Sequence, residues 1–181
     1  MSTGTLQPPV GPGDHAQGPA DAPITLVEYG DYECPHCAAA HGVVRTVQRE
    51  LGGSLRYVFR NFPLRQAHPH AAHAAEAAES IARHGGEERF WAMHDWMFAH
   101  QHTLADEYLL ERAAALGVEA QAVEDDLSAG AMASRVHHDF RSGVRSGVNG
   151  TPTFFVNGRR FDGDWRDASA LAGALRNAEP A

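Results

Sequence analysis

The 181-residue sequence predicts an α/β fold: a βαβ half, an all-helical insertion, then a ββα half. Three observations predict it. Two strand-like runs flank a helical period near the start, Asn157-Gly158 parts two strand-like runs near the end, and the periodic stretches between these halves are all helical. With 43% of its residues apolar, the chain is long enough to bury one real core and too short for two large domains.

Residues 1–22 are rich in Pro and Gly and poor in large apolar side chains, so a flexible N-terminal tail is expected there. The first half spans residues 23–65. In it, Ile24-Thr25-Leu26-Val27-Glu28-Tyr29 is a β-branched-rich run and Leu55-Arg56-Tyr57-Val58-Phe59-Arg60 alternates, so both read as strands. Between them Ala40, Val43, Val44, Val47 and Leu51 keep the spacing of one buried helix face, which Gly52-Gly53 brings to an end. Strand, helix and strand in so short a stretch make a βαβ unit. Glu28 shares its strand face with Ile24 and Leu26, so its carboxylate is expected to point into the apolar core.

Residues 66–147 read as helices only. Helical periods run from His70 to His84, Glu87 to Gln101, Asp106 to Leu116 and Ala120 to Leu127, with a last stripe of Met132, Val136, Phe140 and Val144. Phe90, Trp91, Trp96 and Phe98 are expected to form a local core, and Glu124-Asp125-Asp126 a solvated face. His68, His70, His73, His137 and His138 are expected on the surface, because no acid or cysteine accompanies them at ligand spacing. The second half, residues 148–181, has Thr153-Phe154-Phe155-Val156 and Arg159-Arg160-Phe161 on either side of Asn157-Gly158, a type I′ hairpin signal. A helix then carries Ala168, Leu171, Ala172 and Leu175, with Asp164 or Asp167 as its cap.

The formal charge is −8 and no stretch concentrates arginine, which argues against nucleic-acid or anionic-membrane partners. All 15 basic residues are arginine, so Schiff-base and lysine-nucleophile chemistry is excluded for this sequence. Nothing approaches the run of roughly 18 apolar residues that membrane insertion needs. The opening residues carry neither a basic nor an apolar leader region; the chain as given reads as cytoplasmic, or as periplasmic or otherwise extracytoplasmic if a leader has been removed.

Cys34 and Cys37 are the two cysteines, in the run Cys34-Pro35-His36-Cys37 just after a predicted strand and at the start of a predicted helix. There the unpaired N–H groups and the helix dipole favour the Cys34 thiolate over the thiol. Pro35 gives up an N–H that has no helical partner, and His36 adds a donor or a charge beside the sulfur. Cysteines at this spacing can form a reversible disulfide, so redox chemistry with no metal and no cofactor is the leading reading. The alternative is a metal-binding module in which Cys34, Cys37 and a nearby His36 or His41 hold an ion.

The run Glu28-Tyr29-Gly30-Asp31-Tyr32-Glu33-Cys34-Pro35-His36-Cys37, with Gly147-Val148-Asn149-Gly150-Thr151-Pro152-Thr153-Phe154-Phe155-Val156-Asn157-Gly158 downstream, resembles the DsbA-like thiol:disulfide oxidoreductases. The resemblance covers roughly Pro19 to Asn177 and implies a thioredoxin-like fold with a helical insertion. It implies that Cys34 is the exposed nucleophile, Cys37 the resolving cysteine beneath it, Glu28 the buried acid under the motif, and Pro152 a cis-proline facing the sulfurs. Glu28 would then take or return the proton of Cys37, while Thr151 would offer its backbone to an extended substrate. Thr151 before the proline resembles the isomerase and reductase branches more than the oxidising prototype. Protein or peptide thiols and disulfides are the implied substrates, with a separate redox partner to reset the pair. A glutathione-linked small-molecule reductase or transferase of related fold is a further alternative.

Overall fold

Strands form where β-branched and aromatic residues are concentrated, and helices where alanine and the 3.6-residue period take over. The computed structural model describes residues 4–178, so the first three residues of the expected tail and the last three of the second half lie outside it. The elements run β1 (His15–Gln17), β2 (Ile24–Gly30), α1 (Pro35–Leu51), β3 (Leu55–Asn61), α2 (Ala71–Gly85), α3 (Glu87–Ala99), α4 (Asp106–Ala115), α5 (Ala120–Ala129), α6 (Ala133–Arg145), β4 (Thr153–Val156), β5 (Arg159–Phe161) and α7 (Ala168–Arg176). The expected arrangement is present: β2-α1-β3, five helices, then β4-β5-α7. Two compact units divide the chain, one gathering residues up to Gly30, Ala39–Arg60 and those from Arg141 on, the other Asp31–Ala38 and Asn61–Phe140.

The first unit is built on a sheet of order β1-β3-β2-β4-β5. β2 and β4 are antiparallel with Leu26 opposite Val156 and Tyr29 opposite Thr153. The β4-β5 turn is the expected one, since Asn157 (φ 46°) and Gly158 (φ 80°) both take the positive φ that a type I′ turn demands. Asp167 caps α7 by accepting the Ala170 N–H at 2.8 Å.

The N-terminal segment corrects the expectation of a flexible tail. β1 pairs antiparallel with β3, His15 opposite Phe59, and Leu6 is buried with its N–H donating to Gly158 O at 2.8 Å. Arg60, itself buried, holds both oxygens of Asp14, Nε to Oδ1 at 2.8 Å and Nη2 to Oδ2 at 2.9 Å, and donates through Nη1 to Pro8 O at 3.0 Å. Gly18 makes the approach possible: at φ 92° it passes so close to Leu55 that a Cβ would lie 2.1 Å from its carbonyl oxygen. Composition counts apolar side chains, and this segment is fastened by backbone pairing and an ion pair instead.

In the second unit the small residues Ala74, Ala75, Ala77 and Ala78 give α2 a buried face. Phe90, Trp91 and Phe98 are buried around His94, whose ring lies 4.9 Å from Trp91 and 5.0 Å from Phe98. Trp96 stands apart and stacks on His100 at 4.8 Å. Two further expectations change. Asp126 is not a solvated acid, because Ser80 Oγ donates to it at 2.7 Å and Arg83 and His84 pair with it; burial opposes its charge, yet these partners hold its carboxyl below the usual range. Val144 is 55% exposed, so the apolar stripe of α6 stops short of its last member.

Candidate active site

β2 ends at Gly30 and α1 opens at Pro35, leaving Asp31-Tyr32-Glu33-Cys34 as the connection. The Cys34 N–H donates to Asp31 O at 3.1 Å, while Cys34 O accepts from Cys37 N at 3.0 Å and Ala38 N at 3.2 Å. Cys34 therefore occupies the capping position of α1, beside the positive end of the helix dipole. Pro35 and His36 are exposed on the first turn. Against the expectation of an exposed Cys34, it keeps only 4% of its surface open, with none left to Cys37. Its neighbour Tyr32 is buried as well, at a centroid distance of 5.0 Å from Phe98 and hydrogen-bonded to His94 Nδ1 at 3.0 Å.

Two side chains from beyond β3 grip this turn. Gln101 Nε2 donates to Tyr32 O at 2.8 Å and to Cys34 O at 2.9 Å. Asp31, 1% exposed, accepts through Oδ1 from Glu33 N at 2.8 Å, and through Oδ2 from Leu64 N and His68 Nδ1, each at 2.8 Å. His68 is therefore no solvated histidine, and its carboxylate partner sits 37 positions away, where ligand spacing could not reveal it. His73 likewise pairs with Asp106 at 2.8 Å. Asp31, His68 and Gln101 are the site residues that the sequence reading missed. Asp31 left a signal, an acid accepting two residues ahead in an Asx turn before a helix start.

The remaining candidates lie in the first unit. Glu28 is 1% exposed, and Tyr57 Oη donates to its Oε2 at 2.7 Å, so the expected buried acid has a partner. Glu28 stands opposite Phe154 in the β2-β4 register, which sets Pro152 two residues further along the facing chain. The Thr151–Pro152 bond is cis, and the Thr153 hydroxyl donates to Gly150 O at 2.7 Å just beyond it.

Residues 11–174 match the family model described as Thioredoxin, which is most of the chain. The chain belongs to the thioredoxin family. Solved structures align over nearly all of it: BdbD of Bacillus subtilis is 23% identical with a TM-score of 0.82 over 91% of both chains. The thiol-disulfide exchange protein alpha-DsbA2 of Wolbachia pipientis is 20% identical with a TM-score of 0.75, over 90% of this chain and 86% of that one. This thioredoxin-family chain thus has a DsbA-like fold. Among curated relatives, the Na(+)/H(+) antiporter NhaA of Herminiimonas arsenicoxydans is 44% identical over 171 residues, 94% of this chain and 26% of that protein. The chain spans about a quarter of the length of such relatives. Among its own described residues no helix is long and apolar enough to cross a membrane.

Proposed function

We propose that the chain is a thiol:disulfide oxidoreductase acting on protein or peptide substrates. What carries the reading is the Cys34-Pro35-His36-Cys37 turn at the start of α1 in a thioredoxin-family fold. In the reducing direction, the Cys34 thiolate attacks a substrate disulfide, forms a mixed disulfide and expels one substrate thiolate. Cys37 then attacks the Cys34 sulfur, which releases the second substrate thiol and leaves a Cys34–Cys37 disulfide; two electrons pass to the substrate. The oxidising direction is the reverse. Pro35 and His36 shape the first turn, and Glu28, paired with Tyr57, serves as the proton relay for Cys37. Thr151 and Pro152 bind the substrate backbone by strand addition. A separate redox protein resets the pair.

The test is paired substitution. Cys34→Ser abolishes turnover of a disulfide substrate such as insulin, whereas Cys37→Ser accumulates mixed disulfides visible on non-reducing gels. Equal alkylation of both sulfurs in the native dithiol, or full activity of Cys34→Ser, rejects the assignment. Equilibration with glutathione at defined ratios then gives the direction of electron flow.

A further inference from the structure

The second unit holds an acid–imidazole pair that the exchange mechanism does not use. Asp31 and Cys34 belong to one short connection, joined by the Cys34 N–H to Asp31 O bond, and the Asp31 carboxylate fixes the ring of His68 through Nδ1. A carboxylate only accepts, so Nδ1 carries the proton and the ring orientation is set. The His68 side chain is 19% exposed and that of Asp31 is fully buried, so their interaction is poorly screened. We propose that His68, oriented by Asp31, is a positioning residue that presents a positive charge to the Cys34 sulfur and stabilises its thiolate. This rests on the reading of Cys34 as the nucleophile.

The groups that face His68 agree. Burial works against its charge, but the Asp31 hydrogen bond and the negative charges of Asp31, Cys34 and Glu33 outweigh burial and hold the imidazole above its usual range. The interaction is mutual: a thiolate that favours the imidazolium is favoured by it to the same extent. On its own segment, Arg65 lies 3.7 Å from Glu76, and His70 meets Glu33 only through its backbone N–H, at 2.7 Å. His68 thus adds to the α1 dipole from the acid side of the turn. A stabilised thiolate lowers the free energy of the dithiol form and makes the couple a stronger oxidant. When two glutathione thiols reduce the Cys34–Cys37 disulfide, one glutathione disulfide forms. One proton goes to Cys37, the other to His68 or, where His68 is already charged, to solvent.

The experiment compares the wild type with His68→Gln and His68→Arg. Glutamine keeps an N–H donor for Asp31 but no charge, so a merely structural role is preserved. The reduced proteins are alkylated with iodoacetamide across the acid to mildly alkaline range and the Cys34 adduct is followed by mass spectrometry. His68→Gln is expected to slow Cys34 alkylation about fivefold or more near pH 6, with the difference closing in alkali, and to shift the glutathione equilibrium towards the disulfide by a similar factor. His68→Arg is expected to keep the wild-type rate. Superimposable profiles for wild type and His68→Gln overturn the proposal, as does an arginine variant as slow as the glutamine one. A wild-type pair that does not exchange with glutathione instead overturns the oxidoreductase reading, and this proposal with it.

Discussion

Glu28 and Tyr57 form a hydrogen-bonded pair inside the sheet, 2.7 Å apart and both buried, which makes the effect of losing either one asymmetric. Glu28→Leu removes a buried carboxylate but deprives the Tyr57 hydroxyl of this acceptor, at a cost of about 1–3 kcal/mol that offsets the apolar gain. Adding Tyr57→Phe relieves that cost, so the double variant is expected to be more stable than Glu28→Leu alone, with a coupling of about 1 kcal/mol in urea unfolding. Additive single effects would show that the pair is not an energetic unit. Glu28 was legible in the sequence because strand alternation puts every second residue on one face. The two cysteines were legible because helix-start chemistry is local. His68 was not, since its partner Asp31 is brought to it only by folding.

Elements were legible in proportion to their length. The helices of the insertion declared themselves by period, and the hairpin by two residues of special backbone freedom. β1 is three residues long and sits in a segment whose composition reads as unfolded, so its pairing with β3 left no pattern to find. What fastens that segment is Asp14 on Arg60, with side chains 8% and 3% exposed. Burial opposes the guanidinium charge, but Asp14 and Tyr29 more than compensate and raise its proton affinity. Asp14→Ala is therefore expected to destabilise the protein by about 3 kcal/mol, because it leaves a buried cation without its carboxylate. Denaturant midpoints measure the loss, and limited proteolysis should open the chain ahead of β1 first. Cleavage elsewhere at the same rate would count against a strap held by this pair.

At the scale of the whole molecule, the sequence drew the insertion at residues 66–147, whereas the structure gathers Asp31–Ala38 with the helices. Periodicity assigns a residue to an element, but the partners of Asp31, Tyr32 and Cys34 O lie at Leu64, His68, His94 and Gln101, contacts that carry no period. One consequence is global. His68 has its proton affinity raised in the folded state, so the stability it confers is complete below the ordinary imidazole value of about 6.5 and is lost as pH rises through the higher folded value. The stability gap between wild type and His68→Gln is expected to be about 1 kcal/mol near pH 6 and to close near pH 9. A gap that stays constant over that range would assign the Asp31 contact to hydrogen bonding without charge.

The hairpin at Asn157-Gly158 also bears on how the protein ages. Asn-Gly is the dipeptide most prone to deamidation, because the following backbone nitrogen attacks the side-chain carbonyl with little steric hindrance. Here that carbonyl oxygen accepts the Thr25 N–H at 2.8 Å, the Asn157 N–H donates to Thr25 O at 2.9 Å, and the residue is buried. The side chain is thus tied to Thr25 and shielded from water, which restrains the rotation that would bring its carbonyl carbon to the Gly158 nitrogen for as long as this turn stays against β2. An intact amide at this position is a record of time spent folded, and its conversion to isoaspartate and aspartate a chemical clock of time spent open.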